Sequence, residues 1–323
     1  RIVRPLGEGG MGVVLLAIRE GEGFEQTVAL KLLRGRWVDP MLIARLESER
    51  ELLAELEHPG IARLIDGGVT DDGHPYYAME YVAGDDLLAD ADARGLDVEA
   101  RIELFAQVCE ALHYAHQKLV VHRDLKPSNI LVDAAGRPKL LDFGIARRIE
   151  PEGGDHTSRW VTPAYASPEQ ILGRSLTTRS DIYSLGVLLC ELLAGARPYA
   201  TSTTNPAQLG RMIEETVPSR PSEVAESPTL ARRLRGDLDI IVAKALAKDP
   251  ERRYSSAAAL AEDLRRHLAG RPIEARADGT LYTLGKFLGR HRAIAATVAL
   301  LLATLVAGSA GIAWQAQRAV QAL

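Results

Sequence analysis

Residues 122–129 read His122-Arg123-Asp124-Leu125-Lys126-Pro127-Ser128-Asn129. A carboxylate, an ammonium and a carboxamide thus fall within six positions. Asp142-Phe143-Gly144 follows, its aspartate eighteen positions beyond Asp124. Carboxylates take protons from hydroxyls, and with amide oxygens they suit a hard cation. A lysine beside them suits an anion. His113 and His116 share a helix face at i and i+3, but no Cys or carboxylate set completes a transition-metal site with them. His58, in Leu56-Glu57-His58-Pro59, reads as a turn residue.

Upstream stands Gly7-Glu8-Gly9-Gly10-Met11-Gly12-Val13-Val14, a G-x-G-x-x-G-x-V pattern. A dinucleotide fold would follow the third glycine with a helix. Here strand formers follow, Val13-Val14-Leu15-Leu16-Ala17-Ile18. The glycines therefore turn a β-hairpin, either an ordinary one or one whose amides approach a polyphosphate. Lys31 ends the apolar run Val28-Ala29-Leu30, and a lysine buried there needs a phosphate or a carboxylate partner. The carboxylate candidate is Glu49. Two further clusters are Thr162-Pro163-Ala164-Tyr165-Ala166-Ser167-Pro168-Glu169 and Asp181-Ile182-Tyr183-Ser184-Leu185-Gly186.

The elements that must position these groups follow from periodicity. Residues 1–35 alternate as strands, and 41–56 carry helical spacing. Strand signals recur at Ile61–Leu64 and Tyr76–Val82. Helical runs are expected over 99–118, 181–195, 237–247 and 256–268, with a loop-rich block at 122–170. Strands first and helices later predict an α+β architecture of two lobes rather than alternating βαβ units.

The chain has 323 residues, 46% hydrophobic and 25% charged, with a formal charge of −4. That composition excludes a disordered chain, a polytopic membrane protein and a strongly basic nucleic-acid binder. Cys109 and Cys190 lie in apolar stretches and are expected as buried free thiols. The average hides one unlike part. Residues 293–314 carry no charge; as a helix they would span about 33 Å, enough for a bilayer core. Before them, residues 265–292 hold seven Lys and Arg against two acidic residues. The positive-inside rule then places residues 1–292 in the cytoplasm and 315–323 outside.

Together, in this order and spacing, the motifs resemble those of the eukaryotic-like serine/threonine protein kinases, most closely the bacterial transmembrane members. The resemblance covers residues 1 to about 268. It implies a kinase domain over 1–268, with an N-lobe at 1–80, a hinge at 80–84 and a C-lobe at 85–268. A basic juxtamembrane linker at 269–292, a single transmembrane helix at 293–314 and the start of an extracytoplasmic segment at 315–323 would follow. It implies ATP and Mg²⁺, with Mn²⁺ as an alternative, and protein Ser/Thr substrates.

By the same resemblance Gly7, Glu8, Gly9, Gly10, Met11 and Gly12 cover the phosphates. Lys31 holds them, positioned by Glu49. Asp124 accepts the hydroxyl proton, Lys126 stabilises the moving phosphoryl group, and Asn129 and Asp142 hold the metal. Val14, Ala29 and Leu131 pack on adenine, Met79 guards the back of its pocket, and the backbone of Glu80 and Val82 bonds it. Lys126 and Thr162 point to Ser/Thr rather than Tyr. Glu169 is expected to pair with Arg253, and Asp181 to brace the catalytic loop. Arg123 is expected to answer an activation-loop phosphate, with Thr157 and Ser158 as candidate autophosphorylation sites. A single-pass cell-membrane protein is implied, bound to the bilayer through 293–314, with homodimerisation and no nucleic-acid partner. The alternative weighed against an active enzyme is a pseudokinase scaffold of the same fold, which predicts loss of Lys31, Asp124, Asn129 or Asp142; all four are present.

Overall fold

The glycine-rich turn does join two strands. In the computed structural model, β1 (Ile2–Gly9) pairs antiparallel with β2 (Gly12–Gly21), closing at Gly9 opposite Gly12. The structure describes residues 1–9, 12–21, 23–33, 47–48, 50–143, 163–199 and 206–276, and six positions between 301 and 311. β3 (Phe24–Leu33), β4 (Leu64–Val69) and β5 (Pro75–Glu80) complete an antiparallel sheet in the order β1-β2-β3-β5-β4. No helix follows Gly12, so the dinucleotide alternative falls. Gly12 itself answers to packing. Its φ is +154°, and a Cβ there would lie 2.0 Å from the Leu32 carbonyl oxygen.

Alternation divides the two faces of this sheet. Ala17, Val28 and Ala78 form a small core on one side, joined by Leu30 and Ile65. Ala29, Lys31, Tyr77 and Met79 occupy the intervening positions and turn to the other side. The expected strand at Ile61–Leu64 is displaced. Ile61 makes only an isolated bridge to Leu140, and the ladder starts at Leu64. The reason is tertiary, because Ala62 donates to the Leu140 carbonyl at 2.9 Å instead of entering the sheet.

The second part of the domain is helical. After β6 (Gly84–Asp86) come α1 (Leu87–Ala93) and α2 (Val98–Gln117). Asp97 caps α2 by accepting from the Ala100 amide at 2.9 Å. Val98, Ile102, Phe105, Cys109 and Leu112 repeat at helical spacing and are buried. Short α3 (Pro168–Ile171) is capped by Ser167 and leads to α4 (Thr178–Ala194). α4 is buried on nearly every side, including Ile182, Leu185, Leu188, Leu189 and Cys190. Each such aliphatic side chain contributes about 1.5–3 kcal/mol over exposure. Gly186 brings α4 close to α8 (Asp237–Ala245), since a Cβ there would meet that of Ala245 at 2.9 Å. Between them run α5 (Pro206–Glu215), α6 (Pro221–Val224) and α7 (Pro228–Leu234), and α9 (Ala257–Leu268) closes the run of helices. Both cysteines are buried and unbridged, as expected.

The block at 122–170 is not all loop. β7 (Ile130–Asp133) and β8 (Pro138–Leu140) form a hairpin that joins β6 in a three-stranded sheet. These strands are too short for alternation to register.

The chain divides into two units, Arg1–Arg265 and Arg266–Leu323. In the second, Arg266 pairs with Glu274 at 3.0 Å. The positions described between 301 and 311 are helical, with Leu301 and Leu305 exposed. Among the described residues no helix is long and apolar enough to cross a membrane. Most of the 293–314 segment lies outside them.

Candidate active site

One cleft of about 660 Å³ opens against the sheet face that carries Ala29 and Lys31. Gly7, Glu8, Gly9, Gly12, Val14, Ala29 and Lys31 line it from β1–β3, and Met79, Glu80 and Val82 from the end of β5. Asp124, Lys126, Asn129, Leu131 and Asp142 line it from the loops around β7 and β8. Residues more than a hundred positions apart are thereby gathered. Arg4, Leu6, Tyr81, Gly84, Ser128 and Leu141 also line it and were missed by sequence reasoning. Leu6 and Leu141 carried a faint signal, as apolar residues next to the glycine turn and Asp142. Gly10, Met11, Glu49, Thr157, Ser158 and Thr162 lie outside the described residues.

Among the described residues, the carboxylate that meets Lys31 is Asp142. Lys31 Nζ forms an ion pair with Asp142 Oδ2, and the Tyr77 hydroxyl donates to Asp142 Oδ1. Lys31 is 7% exposed, so a formal partner is required. The sequence expectation for Lys31 named Glu49, which lies outside the described residues, and did not include Asp142. The pairing with Asp142 depends on a chain reversal that local pattern does not encode. Tyr77 stands directly opposite Lys31 in the β3–β5 ladder, and the ammonium sits 5.6 Å from its ring centre. Burial, then the Asp142 charge, push the Tyr77 phenol well above its ordinary value, so it stays a neutral donor.

Asp124 sits on a loop tied from several sides. Its Oδ2 lies 2.9 Å from Lys126 Nζ and accepts from Asn129 Nδ2 at 3.2 Å. The same Nδ2 donates to the Asp124 carbonyl at 2.7 Å. Asn129 Oδ1 is therefore the amide atom left for a cation. Leu141 donates to the Asn129 carbonyl at 2.9 Å, binding the segment of Asp142 to that of Asn129. Amide and carboxylate oxygens are the donors that Mg²⁺ accepts, so these residues fit a hard divalent ion. Among the described residues no group of three His, Cys, Asp or Glu side chains gathers for another metal.

Beneath the loop lies its support. Asp181, in the first turn of α4, accepts from the His122 amide at 2.8 Å and from the Arg123 amide at 2.9 Å. His116 Nε2 lies 2.8 Å from Asp181 Oδ2. Burial pushes the Asp181 carboxyl up, but the His116 hydrogen bond and nearby charge outweigh it, and the net shift is downward. A helix N-terminus favours that anion further. His122 Nε2 donates to the Leu141 carbonyl at 2.9 Å, and its Nδ1 accepts from the Asp124 amide at 3.3 Å. Burial lowers its pKa, in keeping with a neutral ring.

Arg123 and Asp142 adopt left-handed backbone, with φ of 67° and 58°. Such conformations cost about 1–3 kcal/mol and persist where surroundings over-determine them. At Arg123 the Asp181 bond does so, together with Gln170 Nε2, which donates to its carbonyl at 2.6 Å. Arg123 does not line the cleft.

The expected Glu169–Arg253 pair is present. Arg253 holds both carboxylate oxygens, at 2.6 and 2.9 Å. His58 is the turn residue expected, its Nδ1 accepting from the Gly60 amide at 3.0 Å.

Comparison with known proteins places this architecture. The protein kinase domain family model matches residues 1–265. The chain is 38% identical over 278 residues to the serine/threonine-protein kinase PknB of Mycobacterium tuberculosis. That match covers 84% of the chain and 43% of the relative. It is 39% identical over 283 residues to PknB of Mycobacterium leprae, with the same coverage. It is 36% identical over 268 residues to the serine/threonine-protein kinase PrkC of Bacillus subtilis, covering 82% of the chain and 40% of the relative. The chain thus spans less than half the length of these curated relatives. With the family model covering most of its length, the chain belongs to the protein kinase domain family.

Proposed function

We propose that this protein is an ATP-dependent protein kinase that transfers the γ-phosphoryl group to serine and threonine hydroxyls. The observation that carries this reading is the convergence of Lys31, Asp124, Lys126, Asn129 and Asp142 on one cleft, facing a wall of glycine and apolar side chains. Phosphoryl transfer asks a protein mainly to align groups and neutralise charge. Lys31 and Lys126 supply cations along the path of the phosphates. Asp124, its amide held by His122 and its loop pinned at His122 and Arg123 by Asp181, orients the substrate hydroxyl and takes its proton. Asn129 and Asp142 would hold Mg²⁺, which when bound neutralises the phosphate oxygens. Val14, Ala29, Met79 and Leu131 suit the faces and end of an adenine ring. The names of the relatives and the lysine two positions after Asp124 favour Ser and Thr over Tyr.

Within this reading Thr157 and Ser158 are sites of autophosphorylation, and Arg123 answers the phosphate. The uncharged run at 293–314 anchors the protein in the cell membrane with the kinase domain in the cytoplasm, and the protein pairs with a second copy. The basic residues before that run are attracted to anionic headgroups, by about 1 kcal/mol each near the surface.

The test is transfer of γ-labelled phosphate from ATP to a generic protein and to the chain itself. Labelling of Ser and Thr is expected, with modified Thr157 and Ser158 found by mass spectrometry. Asp124→Asn should lower the rate by about 10²–10⁴-fold, the usual contribution of a positioned base. Equal labelling by Asp124→Asn would sink the catalytic assignment, and no transfer by the unchanged protein would favour a scaffold.

A further inference from the structure

Tyr77 is buried yet carries a hydroxyl. A small cavity behind the cleft explains its surroundings. Apart from Tyr77 and Asp142 it is lined by apolar side chains, among them Leu53, Leu56, Ile61 and Phe143. An aliphatic residue would fill that space without a polar atom to satisfy. The tyrosine instead donates its hydroxyl to Asp142 Oδ1, the carboxylate at the edge of that apolar lining.

Strand register makes this a built arrangement. Lys31 and Tyr77 are direct cross-strand partners, so both side chains leave the same face of the sheet. One carboxylate receives both, Lys31 on Oδ2 and Tyr77 on Oδ1. An ionised carboxylate offers about four lone-pair sites, so each oxygen keeps one for another partner. A lysine can swing on four methylenes. A tyrosine clamped in the sheet cannot, and it fixes the carboxylate's rotation. Carboxylates that bind metals are commonly held by such outer hydrogen bonds.

We propose that Tyr77 is a positioning residue that orients Asp142 for the divalent cation that accompanies the nucleotide. The inference rests on the reading of Asp142 as a metal ligand. Tyr77 is not among the residues lining the cleft, and its hydroxyl acts through Asp142.

The test is binding of Mn²⁺, followed by electron paramagnetic resonance, to the whole chain with a non-hydrolysable ATP analogue. Tyr77→Phe keeps the ring and removes only the hydroxyl. Its Mn²⁺ affinity should fall about 10–100-fold, as for other outer-shell partners. Its affinity for the same nucleotide in excess chelator should be unchanged, which a general packing defect would not allow. Tyr77→Ile, a strand former without a hydroxyl, repeats the measurement if the Phe variant does not fold. Unchanged Mn²⁺ affinity in either variant would overturn the role given to Tyr77. Asp142→Asn separates the two levels. If it loses Mn²⁺ while Tyr77→Phe does not, only the positioning role fails; if it binds Mn²⁺ as the parent does, the metal assignment itself fails.

Discussion

Asp142 and Asp181 are both aspartates with strong partners, and they are held in opposite ways. Asp181 is 2% exposed at its side chain and takes two backbone N–H groups and an imidazole. Asp142 is 16% exposed at its side chain, lines the open cleft and takes an ammonium and a phenol. Backbone donors cannot leave without unfolding the loop, whereas side chains facing a cleft can exchange one partner for another. The first carboxylate braces its loop, and the second stands in the cleft where other groups can reach it. Glu169 belongs with the brace, since Arg253 clasps both its oxygens and is itself bonded to the carbonyls of Ala247, Lys248 and Arg179.

Breaking the brace should therefore cost stability first, and breaking the cleft should cost chemistry first. The largest stability effect is expected for Arg253→Ala, which leaves Glu169 buried without its cation. Unfolding in urea should show a loss of about 3–5 kcal/mol, most of it recovered when Glu169→Leu is combined with Arg253→Met. By contrast Asp124→Asn should leave the urea midpoint nearly unmoved while transfer collapses. A midpoint shift as large as that of Arg253→Ala would erase the distinction.

Acidification should sharpen the comparison more gently. His122 is held below its ordinary value of 6.5, chiefly by burial. The unfolded chain then binds a proton that the folded chain refuses, so stability is full above pH 6.5 and declines as pH falls through the lower folded value. Glu169 and Asp181 are held below 4.5 and 3.8, with their hydrogen bonds and neighbouring charges outweighing burial. Their contributions persist above those values and are lost on further acidification. Unfolding free energy measured between pH 8 and pH 4 should fall first below 6.5, and His122→Gln should reduce that first decline, leaving the part that His58, also lowered by burial, contributes.

The smallest effect is expected at the end of β5. Glu80 Oε1 meets Lys139 Nζ at 2.6 Å, joining the end of β5 to β8, but the Glu80 side chain is 38% exposed. Glu80→Gln should change unfolding free energy by less than about 1 kcal/mol, as for other solvated pairs. A larger loss, measured in the same urea titration, would move this pair into the class of Glu169–Arg253.

Much of the site was legible in the chain. The glycines, Lys31, Asp124, Lys126, Asn129 and Asp142 stand out because their side chains are chemically distinctive and their local spacing is set by one turn or one loop. The long helices were legible because apolar residues recur at 3.6 over many turns, as from Val98 to Leu112. The β7–β8 hairpin was not, because three or four residues do not define a period. The shift of the Ile61 strand was hidden for another reason, since the Leu140 carbonyl that diverts Ala62 lies far along the chain.

By itself, then, the sequence determined which groups are available and which short elements carry them. Propensity, capping and glycine geometry act between near neighbours and can be read in order. Only the tertiary structure decided who meets whom. That Lys31 pairs with Asp142, and that the unheralded Tyr77 reaches the same carboxylate, follows from strand register and from the return of the chain beneath the sheet. Those contacts join residues 111 and 65 positions apart. A linear pattern carries no term for such distances, whereas burial and the need to satisfy every buried charge select one partner among many.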